Sequence, residues 1–478
     1  MKEYDLIVVG TGSAMNIVDA VIQTNPKAKI AVIDKDEPGG ICLTRGCIPS
    51  KMLLYPAELM GTIENAKEFS IEVDVKKVDF AKIMDRMRGY IQTEIESIRN
   101  GLSHSKNIDY YPSIAEFTAP YTMKVGNETI TSKTIILCTG SKPLIPPIEG
   151  IDKVSYHTSD SILKINKLPK SIAIIGGGYI AAEYVFFFSA MGSKVVVIGR
   201  NPKFLPEEEP EVSVTAKREL QKHMQILTNH EVRSVIETHS GMKKLTAVNR
   251  ENGKSVQVVA EEILVASGRG PNTDILHPEK GNIKVDSEGW ILVNEFLETS
   301  QPNVWALGDA NGKYMFKHKA NYEALVVYYN AILNRKVKVD YHAVPHAAFI
   351  HPEIASVGLK EKEAIEKFGE KNILIGIERF EDTAKGKAMN VHDCFAKVIV
   401  ERETMKILGA HIIGPHASVL IQEIVNLMYA DEQSAKPIIR GMHIHPALSE
   451  VVEKAFHSLM PPEVYHHVIE HHYRLATA

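Results

Sequence analysis

The stretch YDLIVVGTGSAMNIVDAVIQTNPKAKIAVID, residues 4–34, decides the fold because it reads as strand, glycine turn, helix and strand. Its apolar runs LIVV and IAVI are typical of parallel strands that are buried on both faces of a sheet. Gly10 and Gly12 permit a tight turn and let a pyrophosphate approach the helix N-terminus. Asp34 ends the second strand, where a carboxylate can accept hydrogen bonds from a ribose. The stretch therefore predicts a Rossmann-like dinucleotide-binding unit.

The same unit occurs again at residues 171–200, SIAIIGGGYIAAEYVFFFSAMGSKVVVIGR, with Gly176 and Gly178 at its turn. The first copy alone is a weak signal, because Met15 stands where the usual pattern has a third glycine. Two copies in one chain are far more specific, and they predict two dinucleotide sites.

The two copies differ at the end of their second strand. Asp34 of the first copy is matched by Gly199 in the second, and Arg200 follows it. A carboxylate at this place repels a 2′-phosphate, whereas a glycine leaves room for the phosphate and an arginine donates to it. We therefore expect the second site to favour NADP(H) over NAD(H), although the acidic run 207–209 lies close by.

Length and charge limit the possible functions. At 478 residues the chain is too long for one core and predicts about two to four domains. With 55 basic and 59 acidic residues the formal net charge is −4, so no summed field attracts nucleic acid or an anionic membrane. No apolar run reaches the roughly 20 residues of a spanning helix, and MKEYDLIVVG has no signal-peptide pattern. We expect a cytoplasmic protein that acts on a small molecule.

Two of the four cysteines, Cys42 and Cys47, lie in GGICLTRGCIPSK at residues 39–51. Closely spaced cysteines in a reducing compartment are metal ligands or a redox pair. A structural zinc site needs two further Cys or His ligands at local spacing, and none is nearby in the sequence. The spacing therefore favours a redox disulfide.

The remaining patterns predict the other regions of the chain. We expect a long helix within residues 75–105 and short antiparallel strands within residues 110–136. Residues 143–150 and 262–276 are expected to cross from the first unit to the second and back. NVWALGDANG at residues 303–312 reads as an apolar strand that ends near Asp309. Its carboxylate is costly to bury without hydrogen bonds, so it is expected to meet a polar ligand, with a helix N-cap as the alternative. Residues 345–478 predict a separate α+β domain.

In this order, the stretches GGICLTRGCIPSK, GGGYIAAE, CTGSKP, ASGRGPN, ALGDANG and HPALSE resemble the flavoprotein pyridine nucleotide-disulfide oxidoreductases. That group contains dihydrolipoamide dehydrogenase, glutathione reductase, mycothione reductase and mercuric reductase, and the resemblance covers essentially the whole chain. It implies an α/β fold with two Rossmann-like dinucleotide-binding domains and a C-terminal α+β dimerisation domain. The implied FAD-binding domain has two parts, residues 1–150 and 271–344. The implied NAD(P)H-binding domain is residues 151–270, and the implied dimerisation domain is residues 345–478.

The resemblance also implies the residues of two cofactor sites. FAD would be contacted by Gly10, Gly12, Asp34, Gly140 and Asp309. The nicotinamide cofactor would be contacted by Gly176, Gly178, Tyr179, Arg200 and Gly268, and the Tyr179 ring would cover the flavin until the nicotinamide displaces it. No metal ion is expected, although His467 and His471 of the tail could share a helical face.

The resemblance gives the two thiols separate roles. Cys47 would face the flavin and Cys42 would exchange with substrate, because disulfide exchange needs an attacking thiolate and a second thiol that resolves the mixed disulfide. Lys51 and Glu183 match a pair near the reactive flavin nitrogen, where a cation stabilises the reduced, anionic form. Arg45 is unusual for the family, and we hypothesise that it favours the Cys42 thiolate and attracts an anionic substrate.

A proton shuttle is implied near the C-terminus. His445 and Glu450 match the acid–base histidine of the family and the carboxylate that orients it. His443, two residues earlier, is the histidine most easily mistaken for the acid–base residue. In the family this segment reaches the disulfide of the partner subunit. The resemblance thus implies an obligate homodimer with two shared active sites.

The predicted function is an FAD-dependent NAD(P)H:disulfide oxidoreductase, similar to dihydrolipoamide dehydrogenase, acting on a small dithiol or disulfide. An NADPH-dependent reductase of a low-molecular-weight disulfide is the alternative, and GTGSAMN, KMLLYPAELM and FKHKANYEALVV are similar to mycothione reductases. Mercuric reductase is disfavoured because no further cysteine pair lies near the C-terminus. A docking component of a 2-oxo-acid dehydrogenase complex is the alternative of a different class.

Overall fold

The apolar run LIVV becomes the middle strand of a five-stranded parallel sheet in the computed structural model, which describes residues 1–470. The elements of the first 150 residues are β1 (Lys2–Tyr4), β2 (Leu6–Val9), α1 (Met15–Thr24), β3 (Ile30–Ile33), α2 (Gly40–Arg45), α3 (Cys47–Asn65), α4 (Phe80–His104), β4 (Ile108–Tyr111), β5 (Ala115–Ala119), β6 (Thr122–Val125), β7 (Glu128–Ser132), β8 (Ile135–Leu137) and β9 (Ser141–Pro143). Strands β5, β6 and β7 pair antiparallel, as the alternating pattern predicted. The long helix α4 lies within the predicted range and begins after Asp79, whose side chain accepts from the Lys82 amide.

The second copy of the unit repeats this arrangement. Its elements and the strands that follow are β10 (His157–Thr158), β11 (Ser171–Ile175), α5 (Tyr179–Ala190), β12 (Lys194–Ile198), α6 (Pro210–Leu220), β13 (Gln225–Leu227), β14 (His230–Glu237), β15 (Lys243–Asn249), β16 (Ser255–Ala260), β17 (Glu262–Val265), β18 (Arg269–Pro271) and β19 (Val304–Ala306). One parallel sheet has the order β19-β8-β2-β3-β4 and the other has β10-β17-β11-β12-β13. In each sheet the first strand of the unit, β2 or β11, pairs on one side with the strand after its helix, β3 or β12. On the other side it pairs with a strand that comes later in the chain, β8 or β17. Both glycine turns therefore stand at the carboxyl ends of parallel strands.

The two crossings between the units meet each other. Strand β9 leads into the proline-rich crossing at residues 143–150, β18 lies within the return at residues 262–276, and the two strands pair antiparallel. Strand β19 then joins the first sheet beside β8, which brings a late part of the chain back to the first unit. Two Rossmann-like sheets linked in this way confirm the predicted α/β class for this part of the molecule.

The C-terminal part forms an antiparallel sheet with helices on it. Helix α7 (Lys317–Val327) precedes this part of the chain and packs on α1 of the first unit. The elements of the C-terminal part are β20 (His346–Ala348), β21 (Ile354–Gly358), α8 (Glu361–Phe368), β22 (Ile373–Arg379), α9 (Ala384–Ala388), β23 (Phe395–Glu401), β24 (Ile407–Ile413), α10 (Ala417–Met428), α11 (Lys436–Arg440), α12 (Glu450–His457) and α13 (Pro462–Val468). The strand order is β20-β21-β24-β23-β22, and every neighbouring pair is antiparallel. This arrangement confirms the predicted α+β class of the C-terminal region.

A buried charge cluster fastens the second unit to the C-terminal sheet. Lys397 of β23 has a fully buried side chain, and its Nζ lies 2.7 Å from Glu361, 3.2 Å from Glu211 and 3.4 Å from Glu209. The last two carboxylates stand at the start of α6, so they belong to the second unit. Because a buried cation must be paired, this cluster fixes how the two parts of the molecule meet.

Two expectations concern features beyond these sheets. Within residues 1–470 no helix is both long and apolar enough to cross a membrane. The suggested histidine pair of the tail includes His471, which lies outside the described residues.

Candidate active site

A cleft of about 940 Å³ runs between the two parallel sheets and the start of α7. It collects fourteen of the sixteen residues that the sequence nominated for the site, namely Gly10, Gly12, Asp34, Cys42, Cys47, Lys51, Gly140, Gly176, Gly178, Tyr179, Glu183, Arg200, Gly268 and Asp309. His445 and Glu450 do not line it. The cleft therefore brings both glycine turns and the cysteine pair into one continuous space.

The first glycine turn is shaped to admit a ligand. Gly10 has φ +106°, and a Cβ at this residue would lie 2.1 Å from the carbonyl oxygen of Cys138. Cys138 therefore packs beside the turn, and burial raises the pKa of its thiol to about 11. At Gly12 a Cβ would meet only the Cys138 sulfur at 3.8 Å, so the absent side chain leaves space on the cleft side. This cradle fits the pyrophosphate of an FAD.

Asp34 is held in place by the turn it faces. Its Oδ2 accepts from the amide and the hydroxyl of Thr11 at 2.8 and 2.5 Å, and its Oδ1 accepts from the Asp36 amide at 3.0 Å. Each carboxylate oxygen has more than one lone pair, so the fixed carboxylate can still accept from a ribose hydroxyl. The donor set fits the adenosine end of the same cofactor.

The second glycine turn repeats the first one in detail. Gly176 has φ +138°, and a Cβ there would lie 2.2 Å from the carbonyl oxygen of Ala266. At Gly178 a Cβ would meet nothing within 4 Å. Ala266 directly follows β17 of the second unit as Cys138 directly follows β8 of the first, and Gly140 and Gly268 come two residues later with φ +66° and +120°. The second cradle fits a nicotinamide dinucleotide.

Asp309 stands at the cleft and has a protein partner that the sequence did not reveal. Its Oδ2 accepts from the Ser141 hydroxyl at 2.5 Å, and the same hydroxyl accepts from Arg269 Nε at 2.6 Å. Residues 308–311 form a short 3₁₀ turn beginning at Gly308, so the carboxylate is not a helix N-cap. Ser141 and Arg269 come from the paired strands β9 and β18, whose meeting could not be read from either segment alone.

Cys42 lies within α2 and Cys47 begins α3, and both are thiols in this structure. A hydrogen bond between the two thiols lowers the pKa of Cys42 to about 6, against burial and with help from the Lys317 charge and the backbone amides of Cys47 and Ile48. The same hydrogen bond raises the pKa of Cys47. Cys42 is thus the thiol that is poised to be a nucleophile at neutral pH.

Arg45 does not serve the thiols in the way that its position in the sequence suggested. Its Nη2 lies 2.6 Å from Asp36 and its Nε lies 3.1 Å from Asp160, so two carboxylates offset its charge. The cation that lowers the pKa of Cys42 is Lys317, the first residue of α7. Lys317 donates to the Ser13 hydroxyl at 3.0 Å and makes no ion pair among the residues that the structure describes.

Lys51 and Glu183 meet as the resemblance implied. The Lys51 ammonium lies 2.7 and 2.8 Å from the two Glu183 oxygens, which links α3 to α5. It also lies 4.7 Å from the centre of the Phe349 ring, and the Phe349 amide donates to Glu183 at 3.3 Å. Both residues line the cleft together with Cys47, and Glu183 holds the Lys51 ammonium in place there.

The end of β12 carries Arg200 at the cleft. Arg200 is exposed and forms no ion pair within residues 1–470. Of the acidic run that follows, Glu208 and Glu209 are buried with 3% and 2% exposure, and only Glu207 lines the cleft. Two of the three carboxylates that would repel a 2′-phosphate near Arg200 therefore point into the protein and not into the cleft.

His445 and Glu450 form a pair away from the cleft of their own chain. His445 Nδ1 lies 2.8 Å from Glu450, whose other oxygen accepts from the Ala447 amide at 3.0 Å. The His445 side chain is 71% exposed, while the Glu450 side chain is only 11% exposed. The apolar neighbours Met442 and Ile444 are also exposed. Exposed apolar side chains beside a polar pair are typical of a surface that a second chain covers.

Four cleft or near-cleft residues were missed by the sequence reading: Ser141, Arg269, Lys317 and Glu208. The stretch FKHKANYEALVV, which contains Lys317, was noted only for its similarity to relatives. Each of the four acquires its place through a contact between distant segments. No local spacing or periodicity could have selected them.

Comparison with known proteins agrees with this geometry. Residues 4–324 match the pyridine nucleotide-disulphide oxidoreductase family, and residues 344–456 match its dimerisation domain.

Curated relatives and solved structures extend over nearly the whole chain. A mycothione reductase of Mycobacterium tuberculosis (strain CDC 1551 / Oshkosh) is 34% identical over 467 residues, covering 95% of this chain and 99% of that protein. A dihydrolipoyl dehydrogenase of Synechocystis sp. (strain ATCC 27184 / PCC 6803 / Kazusa) is 33% identical over 478 residues, covering 95% and 98%. The Cu(II) complex of the HOCl-induced flavoprotein disulfide reductase RclA from Escherichia coli superposes with a TM-score of 0.84 at 26% identity, covering 96% of this chain and 99% of that one. The chain therefore belongs to the class I pyridine nucleotide-disulfide oxidoreductase family, the FAD-dependent enzymes that act on sulfur groups with NAD(P)H.

Proposed function

We propose that this protein is an NADPH-dependent reductase of a small disulfide, and that it exchanges electrons with its substrate through Cys42 and Cys47. The observation that carries the preference for NADPH is the end of β12, where Gly199 and Arg200 stand in place of a carboxylate. The unpaired Arg200 guanidinium at the cleft suits a 2′-phosphate. The relatives called mycothione reductases support a low-molecular-weight disulfide as the substrate.

FAD would be held by the first cradle, and when bound it would carry the hydride chemistry between the nicotinamide and the cysteine pair. The chain supplies the surroundings of that chemistry. Lys51, oriented by Glu183, places a positive charge beside Cys47 at the wall of the cleft. Arg269 and Ser141 fix Asp309, and Thr11 fixes Asp34, so polar groups along the first unit are held before a cofactor enters.

The disulfide exchange follows from the different acidities of the two thiols. The Cys42 thiolate attacks one sulfur of the substrate disulfide, and the S–S bond breaks to release the first thiol product and leave a mixed disulfide on Cys42. Cys47 then attacks the Cys42 sulfur, which releases the second thiol product and closes the Cys42–Cys47 disulfide. Two electrons pass from the cysteine pair to the substrate.

Each leaving thiolate needs a proton, and His445 of the partner subunit would supply it. Glu450 accepts from Nδ1 of the same ring and so leaves Nε2 to face the thiol. We propose a homodimer for this reason, because His445 does not reach the cleft of its own chain.

The test is a steady-state assay with NADPH and with NADH against mycothiol disulfide, glutathione disulfide and lipoamide. We expect NADPH to give the higher kcat/KM, and Arg200→Ala to raise the KM of NADPH about tenfold or more while it leaves that of NADH nearly unchanged. Lys203→Ala is the matched control, since Lys203 lines the same wall but does not follow β12 directly. Equal use of both nucleotides by the unaltered enzyme would contradict the preference.

Dihydrolipoamide is the second candidate substrate. Several relatives over nearly the full length are called dihydrolipoyl dehydrogenases. Rapid NAD⁺-dependent oxidation of dihydrolipoamide, with slow reduction of the other disulfides, would favour this substrate. Co-purification with an acyltransferase would further support a role inside a 2-oxo-acid dehydrogenase complex.

A further inference from the structure

The Tyr179 hydroxyl is bonded to a carboxylate that lies behind the cleft. Tyr179 is the first residue of α5, directly after the second glycine turn, and its side chain lines the cleft. Its hydroxyl donates to Glu208 Oε1 at 2.9 Å, and Glu208 itself does not line the cleft. The ring is therefore held through its hydroxyl by a residue outside the cleft lining.

Glu208 is a buried acceptor for three donors. Besides Tyr179, its oxygens contact His346 Nε2 at 2.9 Å and accept from the Ser356 hydroxyl at 2.6 Å. Burial opposes ionisation, but the hydrogen bond and charge of His346 and the bond from Ser356 outweigh it and lower the pKa of Glu208 to about 2. A hydrogen bond to a charged acceptor is about twice as strong as one between neutral groups. The Tyr179 hydroxyl is thus tied to a strong acceptor.

The ring is also supported from behind. The His346 imidazole lies between two side chains of the cleft wall, 5.4 Å from the Tyr179 ring centre and 5.7 Å from that of Phe316, with which it is parallel within 4°. His346 opens β20 and Ser356 lies on β21, so both belong to the C-terminal sheet. Any movement of the Tyr179 ring must therefore leave contacts with a different part of the molecule.

We propose that Glu208 is a positioning residue for Tyr179, and that the Tyr179–Glu208 hydrogen bond has to break before the ring can move aside for a nicotinamide. This inference rests on the proposed function, in which the cleft holds FAD and NADPH. The bond sets how often the ring leaves its place, because a ligand that needs the ring displaced binds only the displaced state. Releasing the ring should then strengthen nucleotide binding.

The experiment measures NADP⁺ binding to the oxidised holoenzyme by calorimetric titration, which does not depend on turnover. Tyr179→Phe removes only the hydroxyl, and Glu208→Gln removes the charge of the acceptor. We expect each variant to lower the NADP⁺ dissociation constant about tenfold, and the double variant to show no further change, because both substitutions act on the same hydrogen bond. Stopped-flow reduction of the flavin by NADPH should reach half-saturation at a correspondingly lower concentration.

Glu209→Gln is the matched control. Glu209 is the next buried carboxylate of the same segment, but it contacts Lys397 and the Glu361 amide and does not touch Tyr179. If the substitutions acted only by loosening the contact between the second unit and the C-terminal sheet, Glu209→Gln would lower the NADP⁺ dissociation constant as Glu208→Gln does. That result would overturn the proposal. Unchanged dissociation constants in Tyr179→Phe and Glu208→Gln, or effects that simply add, would overturn it as well.

Failure of the proposed function looks different. If neither nucleotide reduces the flavin of the unaltered holoenzyme, the assignment of the cleft is wrong and the role of Glu208 falls with it. If the unaltered enzyme is reduced and the variants match it, only the role of Glu208 is overturned.

Discussion

Lys317 supplies a positive charge beside the cysteine pair and has no carboxylate partner within the described part of the chain. Its charge is one of the causes that lower the pKa of Cys42 to about 6. We expect Lys317→Met to raise the pKa of this thiol by about one unit, because removing a nearby cation disfavours the thiolate. Alkylation of the reduced enzyme with iodoacetamide across pH 5 to 9 measures this shift, as slower labelling of Cys42 near pH 7.

Two substitutions separate this effect from the general loss of a cation. Arg45→Met should leave the alkylation profile of Cys42 unchanged, because Asp36 and Asp160 already offset the Arg45 charge. Lys313→Met removes an exposed lysine four residues from Lys317 and should have no effect either. A profile that shifts in Arg45→Met but not in Lys317→Met would reverse the assignment.

The contrast between these two residues shows what the sequence could reveal at this scale. Arg45 stands between the cysteines in the sequence, yet its side chain turns to Asp36 and Asp160, which come from two other segments. Lys317 is far away in the sequence and reaches Cys42 only because α7 begins at the cleft. Charge effects depend on distance in space, and one sequence gives only distance along the chain.

At the scale of elements, the first glycine of each turn is expected to matter for stability and the second glycine for nucleotide binding. Gly176→Ala should destabilise the protein by about 2 kcal/mol or more, since φ is positive and the new Cβ would meet the Ala266 carbonyl. Gly178→Ala meets no protein atom within 4 Å, so its stability should be nearly unchanged, while the Cβ intrudes on the nucleotide side of the turn. Thermal unfolding and NADP⁺ titration of both variants measure the two effects.

The control for this prediction is the corresponding turn of the first unit. Gly10→Ala should destabilise the protein as Gly176→Ala does, and Gly12→Ala should reduce FAD content while NADP⁺ binding is retained. Equal destabilisation by Gly176→Ala and Gly178→Ala would mean that the second turn is built differently from this description.

The elements themselves were largely predictable, and the reason is physical. Buried parallel strands are continuous apolar runs and their turns need glycine, so LIVV, IAVI and their second copies identified both sheets. The predicted α+β character of residues 345–478 includes the stretch AAFIHPEIASVGL, which contains parts of two antiparallel strands, β20 and β21. Helix α3 was not predicted from the sequence, and it contains Pro56, a residue that is atypical of a helix interior.

At the scale of the whole molecule, the junction between the second unit and the C-terminal sheet should respond to acid. The pKa of Glu208 is lowered from its usual 4.5 to about 2, so its contribution to stability is present above pH 4.5 and is lost as the pH falls toward 2. The lost contribution is roughly 3 kcal/mol. Denaturant unfolding at pH 7, 4 and 3 should show a smaller loss of stability in Glu208→Gln than in the unaltered protein. An identical loss in both proteins would contradict this source of acid sensitivity.

The proposal that His445 serves the active site of the partner subunit predicts complementation between inactive variants. Homodimers of Cys42→Ser and of His445→Ala should each lose most disulfide reductase activity. After subunit exchange, half of the dimers are mixed and hold one intact site out of two, so about a quarter of the original activity should return. Return of no activity, with exchange verified by mass spectrometry, would place His445 outside the partner's site.

The central claim is that electrons from a nicotinamide reach the Cys42–Cys47 pair. The direct test adds one equivalent of NADPH to the oxidised holoenzyme without oxygen, alkylates the protein, and reads each cysteine by peptide mass spectrometry. We predict that Cys42 and Cys47 become alkylated only after NADPH is added, while the labelling of Cys138 and Cys394 does not change. A flavin that is reduced while Cys42 and Cys47 stay unlabelled would contradict the account.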